Sequence, residues 1–64
     1  MTYYIGYYIN DVKDEFHVLA KSKSYDAALF ITRAYNHYAI TGKLSVSYYC
    51  VPSNELPKNW KEEE

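Results

Sequence analysis

Sixty-four residues carrying seven basic and eight acidic side chains make one small, nearly neutral domain. A chain this short buries only about 60% of the surface its unfolded form exposes, so its core alone holds it by a thin margin. The balanced charge excludes the basic field that attracts a phosphate backbone, and equally the dense acidity of a protein that imitates DNA.

The first strand is predicted over residues 2–9, Thr-Tyr-Tyr-Ile-Gly-Tyr-Tyr-Ile, which are aromatic and β-branched almost throughout. Both of its faces are apolar, which places it in the middle of a sheet. Four of the nine tyrosines fall here as two adjacent pairs, Tyr3-Tyr4 and Tyr7-Tyr8. Successive side chains on a strand point to opposite faces, so each pair sends one ring inward and one outward. Asn10 to Asp14 is polar and reads as a hairpin loop. A second strand follows over residues 15–22, with Phe16, Val18 and Ala20 expected on one face and His17, Leu19 and Lys21 on the other.

Ser24 offers a helix N-cap, and Asp26 in the first turn faces the positive end of the helix dipole. Apolar residues recur at helical spacing from Tyr25 to Ile40. Ala27, Phe30, Ile31, Ala34 and Tyr38 form the expected buried stripe, with Tyr35 and His37 at its margins. Gly42 supplies the expected C-terminal stop. A third strand is predicted from Lys43 to Val51, with Leu44, Val46, Tyr48 and Cys50 inward and Ser45, Ser47 and Tyr49 outward. Pro52 ends it.

The order β-β-α-β predicts an α+β domain over residues 1–52, a three-stranded antiparallel sheet of spatial order 2-1-3 with one helix on one face. The hairpin makes strands one and two neighbours, and a right-handed crossover returns the third beside the first. Residues 53–64 form an extension in which Leu56 and Trp60 are expected to pack against the domain and the terminal glutamates to fray.

On this scheme the sheet face away from the helix carries Tyr4, Gly6, Tyr8, His17, Leu19, Lys21 and Tyr49, with Ser45 and Ser47 beside them. It is a tyrosine platform with a glycine notch. Aromatic rings in water exceed the apolar patch a soluble monomer normally shows, so the platform is expected to be covered. The candidate occupants are a second copy, a foreign protein, or stacked bases of a nucleotide or single-stranded nucleic acid; the C-terminal segment folding under is the plain structural alternative. Nucleic acid is the weaker reading because only Lys21, with Lys23 and Lys43, would border the rings. A second, weaker patch is expected on the helix at Leu29, Arg33, Asn36 and Ile40, where two aliphatics flank an arginine able to clamp a carboxylate or phosphate. A solvated helix face is the duller account of the same residues.

Catalysis is not expected. His17 and His37 come from different elements and form no recognisable pair, and no acidic or thiol partner lies at metal-ligand spacing. Asp11, Asp14 and Glu15 lack the oxygens and the turn glycine of a calcium loop. Cys50 is the sole cysteine and reads as a buried hydrophobe, which also excludes an internal disulfide. With only Gly6 and Gly42, there is no phosphate-cradling loop. No cofactor and no metal are expected.

Small domains gain support from disulfides, metals or self-association; with the first two set aside, a homo-oligomer, foremost a dimer, is expected. Met1 leads directly into a strand-like segment, and no stretch approaches the ~18 apolar residues of a membrane span, which predicts a cytoplasmic protein without a membrane partner. The chain's size, its abundance of tyrosine, asparagine and lysine and its lack of enzyme motifs are similar to those of accessory proteins encoded by phages of low-GC bacteria. That resemblance implies a stoichiometric inhibitor of a host enzyme or defence system, acting in the host cytoplasm.

Overall fold

The computed structural model describes residues 1–8 and 15–62. It is an α+β fold with one helix on a four-stranded mixed sheet. Strand β1 spans Tyr3–Tyr8, β2 Phe16–Ser22, helix α1 Tyr25–Thr41, β3 Tyr49–Pro52 and β4 Lys61–Glu62. A short 3₁₀ turn, Ser53–Glu55, follows β3. The spatial order is β3-β1-β2-β4. The expected antiparallel trio, with β1 central, lies at its heart. The expectation of three strands, all antiparallel, is corrected by β4, which pairs parallel to β2 at His17 and Val18. The proposed hairpin loop Asn10–Asp14, with its acidic side chains Asp11 and Asp14, lies outside the described residues, as do Ile9, Glu63 and Glu64.

The helix begins as the sequence predicts. The Ser24 hydroxyl accepts a hydrogen bond from the Ala27 N–H at 3.3 Å, and Asp26 sits in the first turn. At the other end the Leu44 N–H donates to the Ala39 carbonyl at 2.8 Å and the Lys43 N–H to the Ile40 carbonyl at 3.1 Å. This is a Schellman closure, and its left-handed residue is Lys43, φ 57°, not Gly42.

The third strand is shorter than predicted, for a reason visible in one side chain. Asn36, on the helix, accepts from the Tyr48 N–H through Oδ1 at 2.8 Å and donates through Nδ2 to the Tyr48 carbonyl at 3.1 Å. Both backbone polar groups of Tyr48 are thus spent on the helix, and β3 starts only at Tyr49. Leu44, expected inward, is 51% exposed. Asn36→Ala is expected to leave that carbonyl and N–H without their partner and to cost about 1–3 kcal/mol. Faster hydrogen exchange at the Tyr48 amide in the variant is the measurement that checks it.

A β-bulge sets the faces of the sheet. Ile5 stands opposite Ala20 and Gly6 opposite Val18, so β2 spends one extra residue, Leu19, at this point. The helix-facing layer holds Ile5, Ala20 and Cys50. Beyond the bulge the alternation on β2 is reversed relative to the prediction. Phe16 and Val18 share the far face with Tyr8 and Gly6, while His17 turns to the helix side and stacks on Tyr7 at 5.2 Å.

The helix is also turned from its expected orientation. Its buried residues are Ala28, Thr32 and Ala39, all small. Phe30 and Tyr38, expected in the core, are 74% and 71% exposed. The physical cause lies in the opposite layer. Tyr3, Tyr7, His17 and Tyr48 occupy the helix side of the sheet; Tyr3 packs on Tyr25 at 5.2 Å, and Tyr48 meets both Tyr7 and Tyr35. With rings filling the interlayer space, only Ala and Thr leave room for the helix backbone to approach.

Candidate functional site

The predicted sheet platform is divided by the C-terminal segment. To pass from β3 on one edge to β4 on the other, residues 53–60 must cross the sheet. The Trp60 ring lies 5.5 Å from that of Tyr4, so they cross the face away from the helix. Phe16 and Val18 on that face are 0% and 1% exposed. Leu56 is half-buried, and Trp60 is 39% exposed, with its ring against Tyr4.

Each platform residue therefore has a definite place. Tyr4 is half-buried beneath Trp60. Lys21 stands opposite Tyr4, with its Nζ 3.3 Å from a Glu62 carboxylate oxygen. Gly6 is no notch, because a Cβ there would sit 1.8 Å from the His17 carbonyl oxygen. The space is filled by backbone. His17 is on the other face, and Leu19 is the half-buried extra residue of the bulge. Tyr8 and Tyr49 remain together at 5.3 Å, Tyr8 also leaning on Phe16 at 5.0 Å. The structure thus brings together Tyr8 with Tyr49 and Tyr4 with Lys21, and separates His17 from all of them.

The residues of the expected helix patch share one side of α1 but differ in their surroundings. Asn36 is engaged with Tyr48, Leu29 is half-buried, and Arg33 and Ile40 are exposed.

What the sequence assigned to the core is instead an exposed apolar surface. At about 100° per residue, Ala27, Phe30, Ile31, Ala34 and Tyr38 span roughly 100° of the helix circumference. Ala27, Phe30, Ala34 and Tyr38 are exposed, and Ile31 and Tyr35 are half-buried. Phe30, Ile31, Ala34, Tyr35 and Tyr38 line a shallow, almost wholly apolar groove. No Asp, Glu, Lys or Arg falls within this stripe; Asp26, Arg33 and His37 lie along one border, next to Phe30. The signal was present in the sequence, since the stripe itself was legible. Only its direction was misassigned.

Among the described residues, no group of three His, Cys, Asp or Glu side chains is placed to hold a metal ion. Cys50 is half-buried on the helix side; burial pushes its thiol pKa up, against a smaller opposing effect of a hydrogen bond with Thr32. A raised folded-state pKa means the thiol's contribution to stability is fully present below the ordinary thiol range and is lost as pH rises through the folded value. Cys50 is accordingly expected to react with iodoacetamide at neutral pH more slowly than a free cysteine does, and stability to decline on the alkaline side. Urea midpoints between pH 7 and 10, compared with those of Cys50→Ala, check the second point. No described helix is long and apolar enough to cross a membrane.

Comparison with family models, with curated proteins and with solved structures returns no match.

Proposed function

We propose that this chain is a non-catalytic binding protein that acts by stoichiometric contact with a protein surface, and that the outer face of α1 makes that contact. The observation that carries this reading is the exposure of Phe30 and Tyr38, one turn to either side of Ala34, on a helix that turns Ala28, Thr32 and Ala39 inward. Isolated exposed apolar side chains are ordinary on protein surfaces. A contiguous, charge-free aromatic stripe is not, and such stripes mark contact sites.

The test is site-specific photo-crosslinking in cells producing the full chain. A benzophenone side chain at position 30 is expected to give one adduct of defined mass, while the same probe at exposed Ser45 gives none. No adduct from position 30, or equal labelling from both positions, removes the helix face as the contact surface.

A further inference from the structure

The outer face of α1 has a pattern that selects among protein partners, and the inference rests on the reading of that face as a contact surface. About Ala34 the stripe is close to palindromic. Phe30 and Tyr38 lie four residues to either side, and Ala27 and Thr41 seven to either side. Residues four apart stack on one face of a helix, so the order along the stripe is small, large, small, large, small. We propose that the occupant of this face is a second copy of the chain, with the two α1 helices packed antiparallel about a two-fold axis through Ala34.

In that arrangement Ala34 meets Ala34, the smallest side chains at the point of closest approach. Phe30 of each copy then packs on Tyr38 of the other, and Ala27 on Thr41. A two-fold interface requires a patch that complements itself. An antiparallel pairing of this stripe meets that requirement because its large residues fall symmetrically about its small centre. A parallel pairing would set Phe30 on Phe30 and Tyr38 on Tyr38, with no interleaving of the rings. The charge pattern agrees: the stripe holds no charge that an oppositely charged partner would complement, and Arg33 and Asp26 stay at its border in water.

The area is adequate for a modest dimer. Aromatic side chains bury on the order of 150 Å² each when fully covered. Phe30 and Tyr38, about three-quarters exposed, together with Ile31, Ala34 and Tyr35 along a helix ~25 Å long, bring several hundred Å² per copy. This lies at the lower end of specific interfaces, where dissociation constants on the order of 1–100 μM are expected. The small core makes such association useful. Among the described residues the buried ones are Ile5, Gly6, Phe16, Val18, Ala28, Thr32 and Ala39.

Sedimentation equilibrium of the full chain between 5 μM and 1 mM is expected to show the 7.6 kDa monomer doubling in mass. Ala34→Glu sets two carboxylates face to face at the axis. It is expected to weaken the dimer at least 30-fold, while its circular dichroism stays that of the parent because residue 34 is exposed. Ala34→Cys locates the axis: mild oxidation is expected to join two copies through this position, whereas Ala27→Cys, displaced by a full seven residues, forms the bond at least tenfold more slowly. A chain still monomeric at 1 mM overturns the proposal. So does an Ala34→Glu variant that dimerises like the parent, or equal oxidation rates at 27 and 34. The crosslink at position 30 separates the two levels. An adduct of twice the chain mass supports the second copy, and an adduct of any other mass overturns it while leaving the helix face as the contact surface.

Discussion

Gly6→Ala is expected to destabilise the fold by about 3 kcal/mol or more. In an unconstrained strand the same substitution would stabilise by about 0.4–1 kcal/mol, because alanine restricts the unfolded chain more than glycine does. Here geometry reverses the sign. The new Cβ would lie 1.8 Å from the His17 carbonyl oxygen and 2.8 Å from its carbon, both backbone atoms that cannot step aside without moving β2. Gly6 sits at the register shift where Leu19 is the extra residue, so relief would require undoing the bulge and returning Phe16 and Val18 to the helix side. A domain of this size is stable by roughly 3–10 kcal/mol in all. The thermal midpoint is therefore expected to fall by about 12 °C or more. A midpoint within 2 °C of the parent would mean that the bulge is not where the structure places it.

Deleting residues 56–64 is the second large effect, expected to cost about 3–4 kcal/mol and to leave a chain that unfolds in very little urea. The deletion removes Trp60 from Tyr4, uncovers the β2 edge beside Val18 and takes away half-buried Leu56 and Pro57. At ~25 cal/mol per Å², loss of roughly 120–160 Å² of apolar contact accounts for that figure. The Lys21–Glu62 ion pair contributes little to it, since both side chains are about half exposed, 58% and 44%. Exposed pairs contribute about 0–1 kcal/mol. The two causes separate cleanly: Trp60→Ala is expected to reproduce at least half of the deletion's cost, and Lys21→Ala only a few tenths of a kcal/mol. Urea denaturation monitored by far-ultraviolet circular dichroism gives all three values on one scale. If Lys21→Ala matches the deletion, the tail is held by charge and not by packing.

The tail lies over part of the aromatic platform, leaving Tyr8 and Tyr49 at one side. The helix stripe has nothing described over it. The proposed contact surface is therefore the outer face of α1, while the tail covers part of the sheet's far face.

Local chemistry determined a good deal without any tertiary information. The tyrosine doublets and β-branched residues of 2–9 specify a strand, and its two apolar faces place it centrally. Ser24 and Asp26 start the helix at Tyr25, and the antiparallel kernel with β1 in the middle follows from the hairpin and the crossover. These features depend on neighbours within a few residues, on alternation and on capping, all of which are written along the chain. Three others were decided only when the layers met. The bulge at Leu19 comes from the close approach that Gly6 permits, and a single extra residue reverses every side chain beyond it. The extent of β3 was set by Asn36, twelve residues from Tyr48 in sequence, whose amide takes both backbone groups. The direction of the helix was set by volume. Ala27-Phe30-Ile31-Ala34-Tyr38 and Ala28-Thr32-Tyr35-Ala39 both obey helical periodicity, and hydrophobicity favours the first. The sheet beneath was already filled with tyrosine rings, so the smaller stripe went in and the larger one was left facing outward.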